Sequence, residues 1–421
     1  MNEKVSTHHG LLPHLFRLEY SKMTAVLCRH FGLQHIETAE DIASDTFLKA
    51  TETWEVYGVP ENPVAWLYTV AKNKTKDYLK HQAVFETKIK TTFSYGNGEK
   101  ERQPEIDFSE QIISDSQLAM IFAVCNPANS PEAQICLALQ ILCGFSVEEI
   151  ADAFLSKTET IKKRLLRARQ NLRNNHFEIK NLPEEAVKSR QDTVLKTLYL
   201  LFNEGYFSKS NNRLIRKEFC SEAIRLALVL TRNPLTNTPQ TNALLALMCF
   251  QSSRLDARTN ETGEAVLFEE QNKNQWNKEL IEQGNYYLVE ACTGNEVSKY
   301  HLEAAIAYWH TTPADADKWK HILQLYNQLV QIEYSPMTAL NRTFAFAKVY
   351  GNRQAVSEAE KLKLEENVHY QALLGYLYSG TNAAKAIAHY QKAVRLSKSV
   401  PEQKTLKREL ERLINLVENE D

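Results

Sequence analysis

The spacing of its apolar residues is the feature that most restricts how this chain can fold. Apolar residues recur at intervals of three and four, as at Ala43, Phe47, Ala50 and Trp54, rather than at every second position. Such spacing gives a helix one apolar face, whereas a half-buried strand requires alternation. With only 13 Gly and 12 Pro in 421 residues, helices joined by short turns should dominate. The sequence therefore predicts an all-α fold.

The length of the chain predicts more than one domain. Its 421 residues, 43% of them hydrophobic, are enough for two or three cores. Helical patterning continues to about Gln82 and then gives way to a polar stretch, TFSYGNGEKERQPEID, in which Gly, Pro and mixed charges indicate a linker. The predicted organisation is a first domain over residues 1–85, a linker over 86–113, a second domain over 114–181 and a third over 182–421.

Composition excludes several classes of protein. The seven cysteines are odd in number and form no C-x-x-C pair, so we expect reduced, buried thiols and neither a zinc site nor disulfides. No apolar run reaches the length of a membrane span, and the N-terminus lacks the apolar core of a signal peptide, so a cytoplasmic protein without a membrane partner is expected. We find no Gly-rich phosphate loop, nucleophile grouping or metal-ligand set with motif spacing. The prediction is that the chain is not an enzyme and needs no metal or cofactor.

Positive charge is concentrated in one short stretch, although the net charge of the whole chain is -2. Residues 160–175 contain no acid and six cations, which are Lys162, Lys163, Arg164, Arg167, Arg169 and Arg173. A polyanionic partner is therefore indicated for this segment and not for the chain as a whole.

The same stretch lies in a pattern typical of a helix-turn-helix. In SVEEIADAFLSKTETIKKRLLRARQNLR, Ile150, Ala151 and Phe154 of a first helix would pack on Ile161 and Leu165 of a second. The residues then left for DNA are Thr158, Glu159, Thr160, Lys162, Lys163, Arg164 and Arg167. A helix whose first residues reach base edges, while later cations meet phosphates, is how such a motif enters the major groove. We favour DNA binding over a solvated basic helix face, because the cations lack acidic partners along the stretch.

The turn between these two helices departs from the common pattern. Many helix-turn-helix motifs carry Gly there, whereas this chain has Leu155, Ser156 and Lys157. A residue with positive φ at this turn would therefore be strained.

A second basic segment combines lysines with aromatic rings. After the turn YGVPENP, we expect Asn62 to cap a helix that begins at Pro63. Its basic, aromatic and amide residues include Trp66, Tyr68, Lys72, Asn73, Lys74, Lys76 and Lys80. Such interleaving suits unpaired nucleic acid, whose bases stack on aromatic rings while its phosphates follow a charged groove. Taken alone, Trp66 is better explained as a core residue, so the prediction depends on the combination.

The preceding helix indicates a different contact. Its apolar stripe from Ala43 to Trp54 leaves Asp41 and Asp45 exposed near the start of the helix. Acids at that position are favourable through the helix dipole alone. A basic protein partner is the functional alternative.

Taken in order, these segments resemble a known family. AEDIASDTFLKATETW followed by NPVAWLYTVAKNKTKDYLKHQ is similar to region 2 of sigma-70-type transcription initiation factors of the extracytoplasmic-function group, and EEIADAFLSKTETIKKRLLRAR resembles their region 4. Further segments, among them LFNEGYFSKS and LFEEQNKNQWNKELI, resemble the subgroup with a large C-terminal tetratricopeptide-like extension. The small and aromatic residues between Tyr370 and Pro401 are also typical of one tetratricopeptide unit, namely Gly375, Ala386, Tyr390 and Ala393.

The resemblance implies where each partner binds. The helix that carries Asp41, Ser44 and Asp45 would bind the clamp helices of the largest subunit of core RNA polymerase, although the family commonly has Gln where this chain has Ser44. The segment from Thr158 to Arg169 would read the −35 promoter element. The turn from Tyr57 to Asn62 would receive an extruded base of the −10 element. The full set predicted for the −10 element and for melting is Tyr57, Asn62, Trp66, Tyr68, Lys72, Asn73, Lys76 and Lys80.

We therefore predict a sigma factor that recruits core polymerase to promoter DNA, with a C-terminal repeat module that binds a protein or peptide partner and regulates the factor. Two alternatives stay open. A stand-alone helix-turn-helix regulator with a tetratricopeptide sensor would leave residues 39–82 without a role. A repeat scaffold that binds no DNA would require the basic segments to be merely solvated.

Overall fold

The computed structural model describes residues 4–93, 106–174, 177, 179–180, 182–207, 217–258, 260, 266–313 and 316–418, with the backbone alone at 4–10, 84–93 and 401. Within these ranges the regular structure is helical and no strand occurs, so the all-α prediction is confirmed. The chain divides into two compact units, Met1–Thr197 and Leu198–Asp421. The domain boundaries drawn from the sequence stay predictions, and residues 94–105 of the predicted linker lie outside the described ranges.

Most helices of the first unit lie in the two segments that the sequence predicted as its first and second domains, residues 1–85 and 114–181. They are α1 (Lys4–Phe31), α2 (Ile36–Tyr57), α3 (Pro63–Phe93), α4 (Glu110–Val124), α5 (Pro131–Leu137), α6 (Val147–Ala153) and α7 (Thr158–Asn174). A 3-10 turn over Leu33–His35 precedes α2, and a π-helical turn over Ala138–Leu142 follows α5. Helix α8 (Glu184–Tyr206) contains the boundary between the two units.

The core of the first unit forms where α1 packs against α2, α3 and α4. Met23 and Leu27 of α1 are fully buried there, as is Leu67 of α3. The stripe predicted on α2 is confirmed, since Ala43, Phe47, Ala50 and Trp54 are all buried. Burial of such a stripe, rather than helix propensity, supplies most of the stability of an amphipathic helix.

The second unit is built of helices that pack mainly on their neighbours in sequence. They are α9 (Lys217–Thr231), α10 (Pro239–Ser252), α11 (Lys278–Ala291), α12 (Lys299–Thr311), α13 (Lys318–Ile332), α14 (Pro336–Tyr350), α15 (Asn352–Glu360), α16 (Val368–Tyr378), α17 (Ala383–Leu396) and α18 (Val400–Glu418). From α12 onward each helix contacts the next. Such nearest-neighbour packing is typical of helical repeat arrays, in which a single hairpin cannot bury its own apolar face.

Helices α16 and α17 approach each other closely, as the small residues of this segment predicted. A Cβ atom placed on Gly375 would lie 2.8 Å from Cδ2 of Tyr390, so no larger residue fits without a shift of the ring. Ala386 and Ala393 are fully buried on α17. The close crossing is confirmed, while the assignment of the hairpin to the tetratricopeptide family stays a prediction.

The thiols are free, and six of the seven are buried. The expectation of uniformly buried thiols is wrong for Cys292, which is exposed where α11 ends. Across the described residues, no group of three or more His, Cys, Asp and Glu is arranged to hold a metal ion. None of the described helices is both long enough and apolar enough to cross a bilayer.

Candidate nucleic-acid interface

Helices α6 and α7 form a wedge whose contact faces agree with the sequence prediction. A capping box starts α6, because Ser146 Oγ accepts from the Glu149 amide at 3.1 Å and Glu149 Oε2 accepts from the Ser146 amide at 2.8 Å. Ile150 is fully buried on α6, as are Ile161 and Leu165 on α7. This apolar contact fixes the direction of α7 relative to α6.

The turn between α6 and α7 contains the strain that the missing Gly implied. Leu155 has a φ of 41°, which is in the left-handed region, and its side chain is 65% exposed. The next residue, Ser156, donates its amide hydrogen to the Ala151 carbonyl at 2.9 Å, which closes the turn. A non-Gly residue in this region costs roughly 1 to 2 kcal/mol, and an exposed side chain recovers little of it through packing.

One face of α7 is exposed and carries part of the predicted DNA-binding set. Thr160, Lys163 and Arg167 are exposed at positions i, i+3 and i+7, which places them on the same side of the helix. Glu159 and Lys162 are exposed as well and form an ion pair at 3.3 Å. Pairs of this kind are weak, so Lys162 can exchange Glu159 for a phosphate at low cost.

The other two predicted residues of α7 are less accessible. Thr158 is partly buried at the first position of the helix, and Arg164, nearly two turns further on, is partly buried as well. The Nη1 atom of Arg164 lies 3.8 Å from Sγ of Cys136. The structure therefore brings most of the set together and turns Arg164 toward α5.

The last two cations of the basic stretch bind acids of α2. Arg169 forms a bidentate pair with Glu40, with N···O distances of 2.7 and 2.8 Å, and its Nε donates to Gln140 Oε1 at 3.1 Å. Arg173 Nη1 donates to Glu37 Oε1 at 2.5 Å. The side chains of Arg169 and Glu40 are each only 14% exposed. We call Glu37, Glu40, Arg169 and Arg173 the α2–α7 clasp.

The clasp corrects one step of the sequence argument. The absence of acids within residues 160–175 indicated cations without partners, and this is wrong for Arg169 and Arg173 because their partners lie some 130 positions earlier in the chain. Burial alone would lower the pKa of Arg169, yet the pKa is raised because the Glu40 carboxylate stabilises the charged guanidinium. Two of the six cations are therefore structural.

A surface of α2 away from this contact is exposed and acidic. Asp41, Ser44 and Asp45 are all exposed, as the sequence predicted, and Asp45 Oδ2 lies 3.2 Å from Nζ of Lys74 on α3. Leu48 follows on the same surface with 59% of its area exposed. The sequence analysis did not single out Leu48, although its position outside the buried stripe was a usable signal.

The connection between α2 and α3 presents an exposed aromatic ring. Tyr57 ends α2 and is 83% exposed, and Gly58 follows with a φ of 84° that suits a residue without Cβ. The predicted cap is confirmed, because Asn62 Oδ1 accepts from the Ala65 amide at 3.0 Å and Pro63 is the first residue of α3. The turn is therefore fixed at both ends while Tyr57 remains accessible.

The two aromatic residues at the start of α3 are engaged within the first unit. The Trp66 ring meets Trp54 edge to face, with centroids 5.4 Å apart, and is only partly buried. Tyr68 donates its hydroxyl to Glu19 Oε2 at 2.5 Å, and its ring lies 4.9 Å from Phe108. Burial, followed by the charge of Glu19, raises the pKa of Tyr68 well above its usual value. Tyr68 therefore anchors α3, whereas part of Trp66 remains open to solvent.

The polar residues further along α3 form a basic surface. Asn73, Lys76 and Lys80 are exposed at i, i+3 and i+7, and Lys72 beside them is partly buried. Lys80 lies 3.7 Å from Asp77 in an exposed pair. This surface follows the same helix as Trp66, which is the arrangement that the sequence predicted.

Comparison with known proteins supports the first segment that the sequence assigned to a sigma factor. Residues 15–84 match the sigma-70 region 2 family, and residues 190–292 match DUF6596, a family of unknown function. The uncharacterized protein R00370 of Rhizobium meliloti is 30% identical over 398 residues, which cover 92% of each chain. No solved structure gives a significant match.

Two relatives that carry functional names each align with less than half of this chain. The ECF RNA polymerase sigma factor BldN of Streptomyces coelicolor is 32% identical over 136 residues, which make up 32% of this chain and 49% of BldN. The RNA polymerase sigma factor YlaC of Bacillus subtilis is 26% identical over 171 residues, which make up 40% of this chain and 93% of YlaC.

Proposed function

The chain belongs to the sigma-70-type RNA polymerase sigma factors, in the extracytoplasmic-function group, and from this we propose that it binds core RNA polymerase, recognises −10 and −35 promoter elements and initiates transcription there. The observation that carries the proposal is that residues 15–84 match region 2 and also contain the exposed acidic surface of α2 and the basic surface of α3. The proposed role needs no catalytic residue or cofactor in this chain, and it places the protein in the cytoplasm beside its polymerase.

For core polymerase, the proposed surface is the exposed side of α2. Asp41, Ser44 and Asp45 would meet the clamp helices, with the two acids facing basic side chains, and Leu48 at the end of the same surface would supply apolar contact. Apolar and aromatic anchors contribute most of the affinity of protein interfaces, while rim charges mainly set orientation and association rate. The ion pair between Asp45 and Lys74 is exposed and easily exchanged for a partner's cation.

For the −10 element, the proposed contacts follow the α2–α3 turn and the basic surface of α3. Extruding a base from the duplex costs a few kcal/mol, and a ring such as Tyr57 can offset that cost by stacking. Asn73, Lys76 and Lys80 would follow the phosphates of the melted strand, with Lys72 and Trp66 at its edge. Because its hydroxyl already donates to Glu19, Tyr68 is assigned the role of holding α3 in place.

For the −35 element, the proposal assigns base reading to the start of α7 and phosphate contacts to its later cations. Thr158, Glu159 and Thr160 lie in the first turn, where a recognition helix approaches base edges. The phosphate contacts would come from the exposed cations Lys162, Lys163 and Arg167, whereas Arg164 is turned toward α5. The exposed face of α7 supports this assignment, whereas Arg169 and Arg173 are excluded because they bind α2.

The test is run-off transcription from genomic fragments with purified core polymerase, together with a direct assay of core binding by gradient sedimentation. Asp41→Lys with Asp45→Lys should abolish co-sedimentation and transcription while the helical circular dichroism is unchanged. Glu52→Lys with Glu55→Lys is the matched control, because it makes the same charge change on exposed positions of the same helix. Normal core binding by the first variant would contradict the assigned surface. Promoter binding without core polymerase would instead support a stand-alone regulator.

The second unit is proposed to be a regulatory module that binds a protein or peptide partner. Its helices stack as nearest neighbours, and residues 190–292 match a family whose function is unknown. The test is to compare transcription by the full chain and by a truncated one at matched protein levels. A cut after Asn181 would remove the whole of α8, and with it two hydrogen bonds within the first unit, from Arg190 to the Phe122 carbonyl and from Thr197 to Gln134 Oε1. The truncated chain should therefore end after Phe207, and equal activity of both chains would contradict a regulatory role.

A further inference from the structure

The second unit contains a groove of about 1050 Å³ that is lined by residues from several of its helices. Its wall is rich in aromatic rings, among them Tyr206, Trp319, Phe344, Tyr376 and Tyr390. Grooves of helical repeat arrays commonly take an extended segment of another chain. In this protein part of the groove wall is a segment that belongs to none of the α-helices, residues 266–271.

We call residues 266–271, with the sequence VLFEEQ, the strap. It lies in the connection between α10 and α11 and includes one 3-10 turn, Phe268–Glu270. The Phe268 ring meets His310 of α12 edge to face, with centroids 4.9 Å apart, and the Arg254 guanidinium lies 4.9 Å from the same ring. The strap therefore inserts one aromatic side chain between a helix and a cation.

The two carboxylates that follow this ring bind cations of distant helices. Glu269 Oε1 lies 2.6 Å from Nζ of Lys348 on α14. Glu270 lies 3.0 Å from Arg408 and 3.6 Å from Arg412, both on α18. Three cations of α14 and α18, of which Arg412 lines the groove, thus pair with a short stretch of chain in which an aromatic residue precedes two acids.

The contacts of the strap are weak enough to be exchanged. Glu269 is 61% exposed and Glu270 is 38% exposed, and ion pairs at such exposure contribute at most about 1 kcal/mol each. Phe268 is only partly buried. A segment held in this way can be displaced by a competing peptide that makes the same contacts and adds further ones.

Two polar atoms in the groove wall indicate what a better occupant would add. Oε1 of Gln251 and Nδ1 of His310 are buried without a hydrogen-bond partner. Burial, followed by the charge of Arg254, lowers the pKa of His310 to about 3, so its ring is neutral and can either donate or accept. Buried polar groups are normally paired, so the strap leaves the site incompletely satisfied.

We propose that this groove is the docking site for a short peptide of a protein partner, in which a large apolar or aromatic residue is followed by carboxylates, and that the strap occupies the site until the partner displaces it. This deepens the proposed regulatory function of the second unit and rests on it. Only molecules with an open strap can bind the partner, so the apparent affinity is proportional to the open fraction. Weakening the contacts of the strap raises that fraction and strengthens binding. The cations Lys348, Arg408 and Arg412 determine the preference for acidic peptides.

The experiment measures fluorescence anisotropy of a labelled peptide with the strap sequence, VLFEEQN, added to the purified full chain. Glu269→Ala with Glu270→Ala should bind it about tenfold more tightly than the unaltered chain, since two exposed ion pairs no longer hold the strap closed. Glu279→Ala with Glu282→Ala is the matched control, because it removes the same charge from exposed positions of α11 outside the groove. It should bind the peptide as the unaltered chain does.

Two further arms test the chemistry of recognition. In the first arm, the strap variant that also carries Lys348→Glu and Arg408→Glu should no longer bind the peptide. In the second arm, a peptide in which Phe is replaced by Ala, or both Glu by Lys, should bind the strap variant at least tenfold more weakly. The peptide arm adds no further substitution to the strap variant, so it decides the question even if the charge-reversed chain fails to fold. Equal affinity of the strap variant and its control, or no binding to the strap variant at millimolar peptide, would overturn the proposal. Transcription is not the readout, so failure here is separate from failure of the sigma-factor function.

Discussion

Removing Glu40 should destabilise the first unit far more than removing its neighbour in the α2–α7 clasp. The side chain of Arg169 is only 14% exposed. In Glu40→Ala its guanidinium loses the carboxylate and keeps the hydrogen bonds to Gln140. Breaking a buried ion pair on one side costs about 3 to 5 kcal/mol, and the bonds to Gln140 place the expected loss near the lower limit, about 3 kcal/mol. Glu37 is 46% exposed, so Glu37→Ala should cost less than about 1 kcal/mol.

The double replacement separates the ion pair from simple burial. The double variant Glu40→Met with Arg169→Met loses both the ion pair and the free-energy cost of burying two charges. The stability of this variant should therefore lie close to that of the unaltered chain. The single variants Glu40→Met and Arg169→Met and the double variant form a cycle whose coupling energy should be about 2 to 3 kcal/mol.

The assay must report on the first unit alone, because a chain of two units need not unfold in one step. Hydrogen exchange followed by mass spectrometry on peptides from α2 and α7 gives a local opening free energy inside the full chain. If Glu40→Ala and Glu37→Ala lower protection of these peptides by the same small amount, the reasoning about buried charge is refuted.

The remaining predictions concern the α6–α7 turn, the exposed cations of α7 and a buried acid of the second unit. Leu155→Gly should raise the stability of the first unit by about 1 kcal/mol, because Gly adopts positive φ without strain. Leu166→Gly, at an exposed position inside α7, should lower the stability by about the same amount, and chemical denaturation distinguishes the two variants. Lys163→Ala and Arg167→Ala should each lower the slope of the logarithm of the promoter-binding constant against the logarithm of salt concentration by roughly 0.9 in magnitude. Unchanged slopes in filter binding would contradict the assignment of phosphate contacts to these two residues. Burial raises the pKa of Glu303 to about 7 despite the hydroxyl of Tyr199 and the charge of Lys299, so the folded state favours its protonated form. Stability is therefore greatest below the ordinary pKa of 4.5 and falls, by on the order of 3 kcal/mol, as the pH rises through about 7; Glu303→Gln should abolish this dependence in thermal melts between pH 5 and pH 8.

Local patterns were sufficient for the features that depend on neighbours in the chain. The stripe of α2, the cap at Asn62 and the strain at Leu155 follow from spacing and backbone preference over a few residues, and each is present in the structure. The exposed acids of α2 follow in the same way, since a residue outside an apolar stripe faces solvent.

Contacts between distant segments could not be predicted in this way. Nothing in the sequence near Arg169 reveals Glu40, and nothing near Tyr68 reveals Glu19, because one sequence without tertiary information does not pair remote charges. The exposure of Cys292 was missed for a related reason, since a thiol is usually buried and only its place where α11 ends exposes it. The ion pairs of the strap are likewise between residues 79 and 138 positions apart.

The clasp also limits how far apart the two proposed DNA-reading ends can lie. Helix geometry allows about 17 Å from Arg169 to Thr158 along α7 and about 26 Å from Glu40 to Tyr57 along α2. Packed helix axes are about 10 Å apart, so a closed clasp keeps the two ends within about 55 Å of each other. Promoter elements centred at −35 and −10 are separated by about 25 base pairs, or about 85 Å of straight duplex. If Thr158 and Tyr57 are to reach the centres of both elements on straight duplex at once, the bonds of Arg169 and Arg173 to α2 must break, and the free energy of breaking them is then subtracted from that of promoter binding.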